Sequence, residues 1–100
     1  MELKPGLRLK STADTTELMV VRAPGGDVDL RCGGAPVAAM GDAAENALDP
    51  EFSGGTQIGK RYADDESGLE ILVTKAGSGS LSIGSAALAE KGAKALPSSD

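Results

Sequence analysis

Glu17-Leu18-Met19-Val20-Val21-Arg22 and Glu70-Ile71-Leu72-Val73-Thr74-Lys75 lie 53 residues apart and carry the same chemistry at every position but Val21 over Thr74. Each is a short aliphatic run, rich in β-branched residues, with a carboxylate at its start and a cation at its end. Polar, turn-forming stretches precede both, at Ser11 to Thr16 and Ala63 to Gly68. Such runs predict the central strands of a β fold. Working outward from them with the same offset, Gly6, Arg8, Glu17, Val20, Ala23 and Gly26 fall on Gly59, Arg61, Glu70, Val73, Ala76 and Gly79. That is six identities over 25 ungapped positions, and after a slip of two residues Gly33, Ala35 and Val37 fall on Gly84, Ala86 and Leu88. The pattern is that of an internal duplication, which predicts two similar supersecondary units related by an approximate twofold axis.

The flanking segments fill out each unit. Leu7-Arg8-Leu9 alternates apolar and charged side chains after Pro5-Gly6, and Lys60-Arg61-Tyr62 is its counterpart; alternation marks a half-buried strand. Ala23-Pro24-Gly25-Gly26 and Ala76-Gly77-Ser78-Gly79 are turns in which glycine supplies positive φ angles. Val28 to Cys32 and Leu81 to Ile83 are the next strands, with Val28, Leu30 and Cys32 on one face. Gly33-Gly34 suits a two-residue hairpin, after which Pro36 to Met40 returns as a single short edge strand, echoed by Ala86 to Leu88. The expected fold is therefore mainly β: a small pseudo-twofold barrel or sandwich made of two similar β-meander units, with minor helical turns. Unit 1 covers about residues 6–40, an acidic linker 41–57, unit 2 about 58–92, and a polar tail 96–100, all in one domain. Helix is the rival at 42–48, where Asp42 is a good N-cap and Pro50 would stop it, and at 86–91, which is rich in Ala, Glu and Lys. Helices there would imply two interlocked β-β-α-β units instead.

Composition bounds the function. A chain of 100 residues buries only about 65% of its unfolded surface, and the aromatics here are Phe52 and Tyr62 alone. So small and ring-poor a core calls for association, and homodimerisation or a protein partner is expected. The net charge of −5 opposes the counterion release that drives nucleic-acid binding. No apolar window is long enough to span a bilayer, and Met1 to Gly6 lacks the features of a secretion signal. With a lone Cys, these point to the cytoplasm.

The chain has no histidine, which removes the commonest general base and metal ligand. No metal or cofactor is expected. The catalytic candidates that remain are weak. Cys32 beside Gly33-Gly34 could act as a nucleophile near backbone N–H groups, although a small buried side chain at a strand end is the plainer reading. Glu17 and Glu70 could approach each other at a twofold axis and share a proton, or each could answer a cation in its own unit, such as Arg8 or Arg22. The glycine-rich stretches lack phosphate-loop spacing, and the acidic clusters 42–51 and 64–66 lack the pattern of a calcium loop.

The apolar runs are more informative than any of these. Leu18 to Val21 and Ile71 to Val73 are apolar at consecutive positions, so both faces of the strands seek cover. The linker, through Leu48 and Phe52, or another protein molecule would supply it. Binding is accordingly expected at Val20, Val73, Met19 and Leu72, with Arg8 and Arg61 beside them. The function this supports is a small non-catalytic binding or accessory protein, a homodimer or a subunit of a larger enzyme, acting through protein contact. A small enzyme using Cys32 or the Glu17/Glu70 pair is the alternative, as is a carrier holding an apolar ligand between the two halves.

Overall fold

A computed structural model describes residues 2–42 and 45–91. The described residues form ten strands: β1 Arg8–Lys10, β2 Glu17–Arg22, β3 Leu30–Cys32, β4 Ala35–Pro36, β5 Ala38–Ala39, β6 Arg61–Asp64, β7 Leu69–Lys75, β8 Leu81–Ile83, β9 Ala86–Ala87 and β10 Ala89–Lys91. They make two antiparallel sheets, ordered β10-β6-β7-β2-β1-β5 and β4-β3-β8-β9. Among the described residues no pairing joins the end strands of either sheet, so of the expected barrel or sandwich a closed barrel is not shown.

The two apolar runs, β2 and β7, pair with each other at the centre of the larger sheet, with Leu18 opposite Val73, Met19 opposite Leu72 and Val20 opposite Ile71. Leu18, Val20, Leu69, Ile71 and Val73 turn inward and are at most 1% exposed. From the smaller sheet come Leu30, Cys32 and Leu81, and these join the same core cluster, with Leu3, Leu9, Val28 and Val37. One apolar interior therefore serves both sheets, as expected when each sheet has a single apolar face to bury. Met19 and Leu72, directed outward on β2 and β7, are only half-buried, whereas Glu70 is buried.

One sequence expectation is corrected, and neither helical rival is found among the described residues. Residues 36–40 are not one strand: β4 pairs with β3 in the smaller sheet, whereas β5 pairs with β1 in the larger. Val37, buried between them, donates its N–H to the Leu30 carbonyl at 3.1 Å, and Leu88 does the same toward Leu81 at 3.0 Å. The chain changes sheet because this side chain plunges into the core. Residues 86–91 hold strands β9 and β10, in keeping with the extended reading of Ala86 to Leu88 rather than its helical rival, since pairing with β8 and β6 satisfies their backbone groups in a way a weak alanine preference of a few tenths of a kcal/mol cannot outweigh.

Nor is there helix in the described part of 42–48, where Asn46 donates its backbone N–H to the Thr12 carbonyl at 2.7 Å. The helical turn falls instead at Pro50–Phe52, where Asp49 caps the N–H of Glu51 at 2.9 Å and Pro50, expected to stop a helix, begins one.

The linker also runs elsewhere than over the apolar sheet face. Among the described residues, its backbone bonds to distant segments go to Thr12, Gly33, Gly77 and Ser80, at the end of the molecule where Cys32 lies, and its local ones to Ala39 and Lys60. Gly33 and Gly34 both have positive φ, as a tight hairpin between β3 and β4 requires. Gly79 does not; it is a glycine because an added Cβ would stand 2.8 Å from the Gly33 backbone.

Candidate functional site

On the outer face of the six-stranded sheet, strand register lines up one continuous row. Arg8 of β1 is opposite Met19 of β2, Met19 is opposite Leu72 of β7, and Leu72 is opposite Arg61 of β6. Alternation accounts for the row: Leu9, Leu18, Ile71 and Val73 take the inward positions, so their neighbours are directed out. Met19 and Leu72 form a half-buried aliphatic centre, and exposed Arg8 and Arg61 stand at its two ends. Four of the six residues expected to bind are brought together here. The other two, Val20 and Val73, are 0% and 1% exposed and belong to the core.

The neighbouring rows add charge. Glu17 lies between Lys10 and Lys75, and Glu70 lies between Arg22 and Ala63. Five cations thus surround the aliphatic centre against two carboxylates, in a chain of net charge −5. The side chain of Glu70 is 5% exposed and pairs with Arg61 at 3.4 Å. Among the described residues, Arg8, Lys10, Arg22 and Lys75 make no ion pair, since the ion pairs are Arg31–Asp29, Lys60–Glu90 and Arg61–Glu70. A register bulge at each end of the β2–β7 pairing, at Glu17/Leu18 and Val20/Arg22, displaces the flanking charges from simple alternation. This is why Arg22 and Lys75 are not legible as part of the surface from the pattern alone.

The catalytic candidates are held apart. Because β2 and β7 run antiparallel, Glu17 is opposite Lys75 and Glu70 opposite Arg22, at the two far ends of the shared ladder. The pair does not meet, and no shared proton is available to it. Cys32 is 0% exposed. Burial, and then the nearby charge of Asp14, push its thiol up to about 11, so the nucleophilic thiolate is disfavoured.

Asp14, which is not among the sequence candidates, organises the end of the molecule where Cys32 lies. Its carboxylate accepts bonds from the Thr16 N–H at 3.1 Å, the Thr16 hydroxyl at 2.9 Å and the Gly79 N–H, with the Cys32 thiol donating at 3.8 Å. Burial alone would raise its pKa, yet hydrogen bonds from Ser11, Gly79 and Thr16 hold it below the ordinary carboxylate value. Asp14-Thr15-Thr16 is a recognisable local turn motif; its partner Gly79, 65 residues away, has no local signature.

Beside this network a cavity of about 350 Å³ is lined by Lys10, Ser11, Thr12, Ala13, Asp14, Glu45 and Asn46. Another, of about 430 Å³, lies between the halves, but Asp27, Asp29, Asp64 and Glu66 contribute to its walls alongside Val28 and Ile83. Four carboxylates do not suit the apolar ligand expected of a carrier. Among the described residues no group of three or more Cys, Asp and Glu is placed to hold a metal ion, and no helix is long and apolar enough to cross a membrane. Comparison with protein-family models, with curated protein sequences and with solved structures finds no match to this chain.

Proposed function

We propose that this chain is a small non-catalytic binding or accessory protein of the cytoplasm, which acts through protein contact made by the outer face of its six-stranded sheet. One observation carries this reading: the row Arg8–Met19–Leu72–Arg61, a half-buried aliphatic centre flanked by exposed guanidinium groups. Arginine and methionine are enriched at protein interfaces, and a buried centre with a polar rim is the usual anatomy. The buried, unreactive Cys32 has no need of an oxidising compartment.

A further part of the proposal is that the surface arose by duplication, with two homologous halves related by a twofold axis and packed as a sandwich. Support comes from the 53-residue offset: the residues it equates, Met19 with Leu72 and Leu30 with Ile83, are each other's cross-strand partners. An axis between them would make Arg8 and Arg61 equivalent.

The test is photo-crosslinking. With photo-methionine at Met19 in the intact chain, in extract of its own cell, we expect covalent capture of a protein, and loss of that capture in Leu72→Lys. Absence of any crosslink at position 19, with crosslinks forming elsewhere on the molecule, would overturn the reading.

A further inference from the structure

We propose that the occupant of this face is an acidic segment of another protein, presenting two carboxylates on either side of an aliphatic residue. The inference rests on the binding reading above and specifies the partner's chemistry. Arg8 and Arg61 are separated by three inter-strand steps, from β1 to β2, β2 to β7 and β7 to β6, or about 14 Å at about 4.8 Å per step. Residues i and i+4 of an extended chain are also about 14 Å apart and share a face with i+2. An extended segment lying across the strands would therefore set carboxylates at i and i+4 on the two guanidinium groups, and an aliphatic side chain at i+2 on Met19 and Leu72.

Charge decides against the other occupants. Arg8 has no ion pair among the described residues, and Arg61, already bonded to Glu70 through one nitrogen, retains donors for a second carboxylate. Lys10, Arg22 and Lys75 extend the positive potential. A second copy meeting face to face would oppose cation to cation, because a twofold contact presents the same patch twice. Nucleic acid lacks the aliphatic group that would cover Met19 and Leu72 at the centre of the row.

The probe is a blocked peptide containing Glu-Thr-Leu-Thr-Glu, titrated into the full-length protein and followed by backbone amide shifts. Saturable shifts confined to β1, β2, β6 and β7 are expected, weakening roughly tenfold when salt rises from about 0.05 to 0.5 M. Arg8→Glu, which removes no ion pair and leaves the fold's amide spectrum intact, should weaken binding at least about tenfold. Arg8→Gln should weaken it less. Equal binding of a peptide with both Glu replaced by Gln, or no binding at all, would overturn the acidic-segment proposal; crosslinking at Met19 would still stand if only the partner's chemistry were misjudged. Preferential binding of duplex DNA, or concentration-dependent self-association abolished by Arg8→Glu, would overturn it in favour of those occupants.

Discussion

The Asp14 carboxylate ties the loop 11–16 to the Gly77–Gly79 turn through the Gly79 N–H, while Thr16 and Thr56 share a hydroxyl bond at 3.1 Å beneath it. Removing the acceptor strands these donors, so Asp14→Ala should cost about 1–3 kcal/mol in denaturant unfolding. The pH dependence follows from the direction of the shift. The folded group titrates below its ordinary value of 3.8, so its contribution is full above that value and is lost as pH falls through the lower folded value. Asp14→Asn should therefore flatten the acid limb of the stability profile below about pH 4, and an unchanged limb in urea titrations would refute this. Two glycines separate two kinds of constraint. Gly26 has φ +77 with nothing within 4 Å of an added Cβ, whereas Gly79 has the Gly33 backbone at 2.8 Å. Gly26→Ala should cost about 1 kcal/mol through backbone strain, and Gly79→Ala more, because backbone must move; melting temperatures will rank them. Cys32, fully buried, should resist a bulky thiol reagent until the protein is denatured.

At the level of the strand, β2 and β7 present two faces of different meaning. Val20→Asp or Val73→Asp places an unpaired charge in the core and should unfold the protein, a loss above about 4 kcal/mol. Met19→Lys or Leu72→Lys, on the outer face, should cost less than about 1 kcal/mol and leave the far-ultraviolet circular dichroism unchanged. Equal losses at both faces would mean that the outer face is covered within the molecule. The aliphatic runs were legible as strands because β-branched residues crowd them and turns bound them. Which neighbour each would choose was not, since alternation specifies a face and leaves the partner strand open. The change of sheet at Val37 was hidden for a similar reason: Ala35 to Ala39 is too short and too uniform to show a reversal of direction.

The molecule as a whole has one apolar interior, fed by both sheets and both halves of the chain. It should unfold as one unit, so the fluorescence of Tyr62, which packs against that core, and the backbone dichroism should share a single midpoint. Separate midpoints would show that the sheets are independently stable. The position of the linker is also decided at this scale. Phe52 accepts the Ser80 N–H at 2.7 Å, and Asp49 donates to Gly33 at 2.9 Å, which seats this part of the linker on the Cys32 end; among the described residues none of its backbone bonds goes to Arg8, Met19, Leu72 or Arg61.

By itself the sequence determined the mainly β character, the most prominent turns and the inward direction of Cys32, because each depends on local alternation or on glycine. Tertiary structure alone decided that β2 and β7 are neighbours, that Glu17 and Glu70 end up at opposite ends of their ladder, and that Asp14 reaches Gly79. Those are pairings between distant segments, chosen by the burial of a common core, and no local pattern encodes which distant backbone will lie alongside.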